Sequence, residues 1–263
     1  METATNTEEL QTRQDGGVLW LTLNRPQALN SLTLSLVNGL ISSIEQAQSD
    51  RSVGVIVLTG AGRAFCAGAD LKDPARSRPE SGAEFVQAIG ALTELIEASA
   101  KPVIAAINGI AVAGGLELVL ACDLVIAAES ARLGDAHSNY ALFPGAGATV
   151  RLPRKVGLNN AKLLMFTGDM HPAREWKAFG LVNQVVADDG FIDAVSTLAA
   201  KLAAKSPLVL ARMKQALNDA LDHPVAVGLR YERALSNLHH FSADRVEGLA
   251  AFKEKRAPQF QGK

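Results

Sequence analysis

The sequence predicts an α/β core followed by a helical C-terminal third, on three observations. Apolar strand-like runs alternate with helix-spaced apolar residues through the first half of the chain. From Gly157 onward, helical spacing takes over almost completely. The 263 residues are 48% hydrophobic and 20% charged, enough apolar surface for one sizeable core, which excludes a disordered, collagen-like or coiled-coil chain. The expected organisation is one continuous domain, with residues 1–200 as α/β core and 201–263 as a helical region.

The elements run in order. Val18 to Leu23 (VLWLTL) is β-rich and closed by the turn signal Asn24-Arg25-Pro26. Leu34, Val37, Leu40, Ile41 and Ile44 then recur at the spacing of one helix face. Val53 to Leu58 is a second apolar strand, ending in Gly60-Ala61-Gly62. Asp73 to Gly82 holds two prolines, both signs of charge and no apolar period, so it reads as a surface loop of the kind that orders around a ligand. Glu84 to Ala98 is helical through Phe85, Ile89, Leu92 and Ile96. Lys101-Pro102 opens a third strand, Val103 to Ile107. Gly114-Gly115 lead into a helix, Leu116 to Ala121, and a strand, Leu124 to Ala127. Leu181 to Val186 is the one late strand, and the remainder is helical over Ala194–Ala204, Leu208–Leu221, Val225–Leu238 and Ala243–Phe252.

Charge and motifs narrow the function. Twenty-six basic against 27 acidic residues leave a net charge of −1, so no overall field recruits nucleic acid or an anionic membrane. Cys66 and Cys122 are too few for a disulfide framework and lack metal-site spacing, which points to a reducing compartment and no metal. The N-terminal stretch METATNTEELQTR has no signal-peptide core, and no window reaches the ~18 unbroken apolar residues of a span. The expectation is a cytoplasmic protein with no membrane or nucleic-acid partner. Phosphate-loop, dinucleotide, serine-elbow and zinc patterns are missing from the sequence.

What stands out is a pair of Gly-rich turns, each after an apolar strand. In Ala64-Phe65-Cys66-Ala67-Gly68-Ala69-Asp70-Leu71-Lys72, small residues let the backbone approach a ligand and aim a peptide N–H such as that of Ala69 at an oxygen. In Asn108 to Glu117, Gly114 and Gly115 open a helix whose free N–H groups favour developing negative charge, with Glu117 in its first turn. Both stretches read equally as tight packing turns, with Glu117 a helix-start acid.

The segments AFCAGADLK and KPVIAAINGIAVAGGLELVLACDLVIAAESARLG, together with Asn24-Arg25-Pro26, Phe143-Pro144-Gly145-Ala146-Gly147 and Arg151-Leu152-Pro153-Arg154, resemble the enoyl-CoA hydratase/isomerase (crotonase) superfamily. The match runs from about residue 17 to Phe252-Lys253-Glu254-Lys255-Arg256. This resemblance implies a spiral of ββα repeats with a helical C-terminal trimerisation region, giving a homotrimer or a hexamer of paired trimers. It implies that Ala69 and Gly114 donate the oxyanion hole for a thioester carbonyl. It makes Ala67, Gly68, Ala69, Asp70 and Leu71 the adenine-contacting strip of coenzyme A. Arg25 and Lys72 stand near its phosphates, with Gln27 where a Lys is frequent, and Phe252 and Lys255 reach CoA across a subunit boundary. No cofactor is implied beyond the CoA of an acyl-CoA substrate.

Glu117 matches the first of the family's two hydratase glutamates, but His137 occupies the place of the second. Three roles are open to His137: general acid or base in place of the glutamate; shaping of the pocket or a hydrogen bond to a substrate group, which leaves Glu117 as sole acid/base; or a partly buried histidine satisfied by backbone. Asp135, two residues away, shares its face if the segment is extended and would then orient the ring. Tyr140 and Ser138 are weaker candidates for the same pocket. The expected activity is reversible hydration of a trans-2-enoyl-CoA. Isomerisation, thioester hydrolysis or decarboxylation, and a non-catalytic CoA- or RNA-binding relative are the alternatives.

Overall fold

The computed structural model describes residues 8–73 and 79–263. Ten strands and ten α-helices among them build two sheets. The six-stranded sheet runs in the order β1 (Leu10–Asp15), β2 (Val18–Leu23), β3 (Val55–Gly60), β5 (Val103–Ile107), β7 (Leu124–Ala128), β10 (Gln184–Val186). The four-stranded sheet runs β4 (Ala64–Cys66), β6 (Ile110–Val112), β8 (Arg132–Gly134), β9 (His171–Pro172). Successive strands therefore alternate between sheets: β3 then β4, β5 then β6, β7 then β8. The first two pairs are followed by α2 (Pro79–Ala98) and α3 (Gly114–Ala121), which is the expected ββα spiral.

Parallel pairing of β2, β3, β5 and β7 explains their composition. A strand covered on both faces has no polar side to alternate, and every residue of β5 is buried, as are the first five of β3. Each such Val, Ile or Leu contributes about 1.5–3 kcal/mol of burial. Helix α1 (Leu34–Ser49) begins where the Thr33 side chain accepts from the Leu36 N–H at 3.1 Å. It buries Leu36, Val37, Leu40, Ile44 and Ala47 along one face.

Several boundaries differ from the sequence-based expectation. The Asp73–Gly82 loop is shorter at its C-terminal end, because Pro79 opens α2 in the first turn, where a missing N–H costs nothing; residues 74–78 lie outside the described part. The late strand contains only Gln184–Val186. Leu181 and Val182 are buried, but their N–H groups turn back to the Trp176 carbonyl and close α6 (Ala173–Phe179) through Gly180 at φ +99°. β1 leaves no signal in the sequence: it is an antiparallel edge strand with one fully buried side chain, Leu10, too little apolar alternation to read.

The other helices are α4 (Ala148–Val156), α5 (Leu158–Thr167), α7 (Phe191–Ala203), α8 (Pro207–Asp219), α9 (Val225–His239) and α10 (Ala243–Glu254). Helix α7 packs on β2, β3 and β7. Helix α8 is pinned to the core by Lys214, whose buried Nζ donates to Asp123 Oδ2 at 2.8 Å and to the Ile96 carbonyl at 2.9 Å. No single described helix is long and apolar enough to cross a membrane.

Candidate active site

Three adjacent parallel strands end on one edge of the smaller sheet, and the segments leaving their carboxyl ends assemble the site. After β4 comes Ala67-Gly68-Ala69; after β6, Ala113 and the start of α3; after β8, Asp135-Ala136-His137. Carboxyl ends of parallel strands are where an α/β sheet opens to ligands.

The strip 67–70 pairs with residues 29–32 on one side only. Ala67 N–H donates to the Leu29 carbonyl, Leu32 N–H to that of Gly68, and Asp70 N–H to that of Leu32. The Gly68 carbonyl and the Asp70 N–H both face Leu32, so the Ala69 N–H between them points away from it, and it has no acceptor among the described hydrogen bonds. Gly68 sits at φ +85°, and a Cβ there would press against Ala113 and the Gly114 nitrogen. A Cβ built on Gly114 would lie 3.6 Å from the Ala69 nitrogen, so the two turns touch. The Gly114 N–H, at the first position of α3, also lacks a protein acceptor among the described hydrogen bonds. Both residues line one cavity of about 220 Å³. Ala113 holds the second turn at φ +50°, ψ −120°, a conformation costly for any residue with a side chain.

Helix α3 is buried on every side, and Glu117 is its one charge. Its Oε1 accepts from the Ala146 N–H at 2.8 Å and the Ala148 N–H at 3.2 Å. That loop is braced in turn: the Ala146 carbonyl accepts from Arg151 Nη1 at 2.9 Å, and Arg151 pairs with Glu97 at 2.8 Å. Oε2 stands 4.0 Å from His137 Nε2. Burial pushes the Glu117 pKa up from its usual 4.5, against the pull of the two backbone donors and of His137.

The expected face-sharing of Asp135 and His137 is corrected in its cause. The segment is not extended: Ala136 turns at φ +56°, and His137 opens a short 3-10 turn to Tyr140. The turn itself folds the Asp135 carboxylate back, so that Oδ1 lies 3.1 Å from His137 Nδ1 and Oδ2 3.4 Å from the His137 N–H. Burial opposes the imidazolium, but the Asp135 bond and charge, with that of Glu117, outweigh it and hold His137 above its ordinary 6.5. A His137 satisfied by backbone alone is thereby set aside, since its ring also meets the carboxylates of Asp135 and Glu117.

Phe85, Ile89, Val112, Leu142 and Phe143 give the cavity apolar walls, and Tyr140 reaches its mouth while Ser138 does not line it. Arg25 is 16% exposed, and its guanidinium is engaged with Glu9 at 2.9 Å, the Ser31 carbonyl at 2.6 Å and Asp70 at 2.9 Å. Lys72 and Leu71 are exposed beside it. Phe252 is 84% exposed, so packing in this chain's own core does not account for it, and Lys255 caps α10 on the surface. Burial pushes the thiols of Cys66 and Cys122 up to about 12, which removes both as nucleophiles. No group of three or more metal-ligating side chains converges among the described residues. The residues that sequence reasoning missed are Ala146 and Ala148, which act through backbone N–H groups; Phe143 to Gly147 were noted only as part of the resemblance.

Two N–H groups with no protein acceptor among the described hydrogen bonds, lining one cavity with apolar walls beside the buried Glu117–His137 pair, mark the site of a ββα-spiral protein. The chain belongs to the enoyl-CoA hydratase/isomerase family, whose sequence profile matches residues 13–263. It is 40% identical to the 2,3-dehydroadipyl-CoA hydratase of Escherichia coli over 97% of this chain and 99% of that protein. It is 37% identical to the human mitochondrial methylglutaconyl-CoA hydratase over 97% of this chain and 78% of that one. The crystal structure of an enoyl-CoA hydratase from Bacillus anthracis superposes with a TM-score of 0.94 at 40% identity, covering 97% of this chain and all of that one.

Proposed function

We propose that this protein catalyses the reversible hydration of a trans-2-enoyl-CoA. The observation that carries this reading is the free Oε2 of Glu117 facing His137 Nε2 at 4.0 Å beside the Ala69 and Gly114 N–H groups. The thioester oxygen sits between the two N–H donors, where negative charge gathers when water adds to C3. Such preorganised donors lower the barrier by about 3–4 kcal/mol each. Glu117, anchored through Oε1, keeps Oε2 for the water, and His137 supplies the second proton-transfer group.

Coenzyme A lies along Ala67–Leu71, with Lys72 toward its phosphates and Phe252 and Lys255 of a neighbouring copy closing over it. The exposure of Phe252 supports that arrangement. The reading includes a homotrimer or a hexamer of paired trimers. Leu217 (70% exposed), Val225 (79%) and Phe241 (90%) on the C-terminal helical region are a large apolar area for a lone chain. A cytoplasmic location is part of the proposal, and the two free, buried cysteines suit it. No cofactor other than the substrate's own CoA is invoked.

The test is turnover of a short trans-2-enoyl-CoA with products resolved by mass. A gain of one water, lost by about 10²-fold or more in Glu117→Gln while CoA binding persists, is the expected result. An unchanged enoyl-CoA, under conditions where the protein is saturated with it, refutes the reading.

A further inference from the structure

The two proton-transfer groups of this site are unequal: one is a carboxylate, the other an imidazole backed by a second carboxylate. Asp135 is 1% exposed, and among the described residues its carboxylate faces no cation other than His137. An ionised carboxylate only accepts, so the contact of Oδ1 with Nδ1 at 3.1 Å places a hydrogen on Nδ1 and turns Nε2 toward Glu117. The turn at Ala136 makes this possible by bringing side chains two residues apart into contact. The titratable groups facing the ring are Asp135, from the turn after β8, and Glu117, from α3; Tyr140 lines the same cavity from the 3-10 turn and is 72% exposed. No Lys or Arg lines the cavity among the described residues.

Resting on the hydratase reading, we infer that Asp135 is a positioning residue that makes His137 the general acid of the reaction, with Glu117 the base. Glu117 Oε2 takes a proton from water as the water oxygen bonds to C3. The C2=C3 pair moves into the enolate, whose oxygen is held by Ala69 and Gly114. His137 Nε2–H then gives its proton to C2, and the thioester carbonyl is restored. The product has gained H and OH, leaving a neutral imidazole and a protonated Glu117. One water spanning the 4.0 Å gap returns the proton from Oε2 to Nε2 and resets the pair.

Burial alone strips a histidine of its proton, and the negative charges of Asp135 and Glu117 reverse that here. An acid must be protonated, so kcat/KM falls as pH rises through the raised pKa of His137. Asp135→Asn keeps an acceptor but removes the charge. It is expected to lower kcat about 10–100-fold at pH 8 and to move the high-pH limb of kcat/KM to lower pH. His137→Gln abolishes that limb. His137→Glu supplies an acid that does not need residue 135, so adding Asp135→Asn to it changes kcat less than about threefold, against the roughly 10–100-fold loss with His137 in place.

A limb that stays put in Asp135→Asn, or survives in His137→Gln, overturns the inference even where hydration itself is confirmed. ¹⁵N NMR of His137 provides a readout independent of turnover: the wild type carries hydrogen on Nδ1 and titrates above Asp135→Asn. An equal or lower wild-type pKa, or a neutral ring protonated on Nε2, overturns the inference. If Asp135→Asn does not fold, His137→Gln and the wild-type tautomer carry the test.

Discussion

Gly115, in the first turn of α3, packs directly on the Cys66 carbonyl of β4. A Cβ built on it would fall far inside van der Waals contact with that oxygen and at 2.9 Å from the Cys66 Cβ. The obstruction is backbone and the neighbour is fully buried, so no side-chain rotation relieves it. Gly115→Ala must therefore push α3 away from β4 and carry Gly114 and Glu117 with it. We expect a loss of about 1–3 kcal/mol or more in urea unfolding, together with a fall in kcat. Full activity in a stable Gly115→Ala protein would show that the two turns need not stay in register.

Ala113 sits two residues upstream, at φ +50°, ψ −120°, where a side chain is strained by about 1–3 kcal/mol. Its N–H is nonetheless held by the Gly134 carbonyl at 3.2 Å, so the surrounding strands enforce the turn. Ala113→Gly removes the strain and adds unfolded-state entropy. The expected net is a stabilisation of about 1 kcal/mol or less, with kcat lowered as the freed turn holds the Gly114 N–H less firmly. Differential scanning calorimetry and steady-state kinetics on one preparation read both effects.

The sequence made the fold legible wherever burial was complete on both sides of a strand. β3, β5 and β7 are near-continuous apolar runs because helices and neighbouring strands cover them. The strands that deliver the site were not legible: β4, β6 and β8 have three residues each, too few for any period to show. Ala69, Gly114 and Glu117 could be named because small residues and an apolar helix with one acid leave a trace in composition, and the resemblance supplied their roles. Ala146 and Ala148 left none, since a backbone donor has no residue type. An extended segment would put Asp135 on the face of His137, and the geometry arrives at the same contact through a turn at an alanine.

Lys214 and Asp123 form the buried tie between α8 and the core. Asp123 Oδ2 also accepts the Val103 N–H at 2.7 Å. Burial pushes the Asp123 carboxyl above its ordinary 3.8, and Lys214 pulls against that. Lys214→Met leaves the carboxylate unpaired and should cost about 3–5 kcal/mol at neutral pH. A carboxyl whose folded pKa is raised destabilises above that pKa, and the penalty is relieved as pH falls through it. The deficit should shrink between pH 8 and pH 5, and Lys214→Met with Asp123→Asn should recover most of it. A deficit independent of pH would place the cost in packing instead.

Arg25 and Asp70 give the opposite sign. Burial raises the Asp70 carboxyl, but the Arg25 bond and charge, the Lys72 N–H and Ser31 outweigh it, and its pKa is lowered from 3.8. A depressed folded pKa contributes stability that is present above the unfolded value and is lost as pH falls through the folded one. Arg25→Met should thus cost about 2 kcal/mol at pH 7 and less at pH 3, read by urea unfolding at both. The kinetic consequence comes from chain position. Asp70 adjoins Ala69, and its N–H and side chain are both tied, to Leu32 and Arg25 respectively. Releasing Arg25 loosens the strip that aims the Ala69 N–H. We expect kcat to fall about tenfold, roughly one hydrogen bond's worth, with CoA affinity changed less than about threefold. A variant that binds CoA about ten times more weakly at unchanged kcat would return Arg25 to the phosphates.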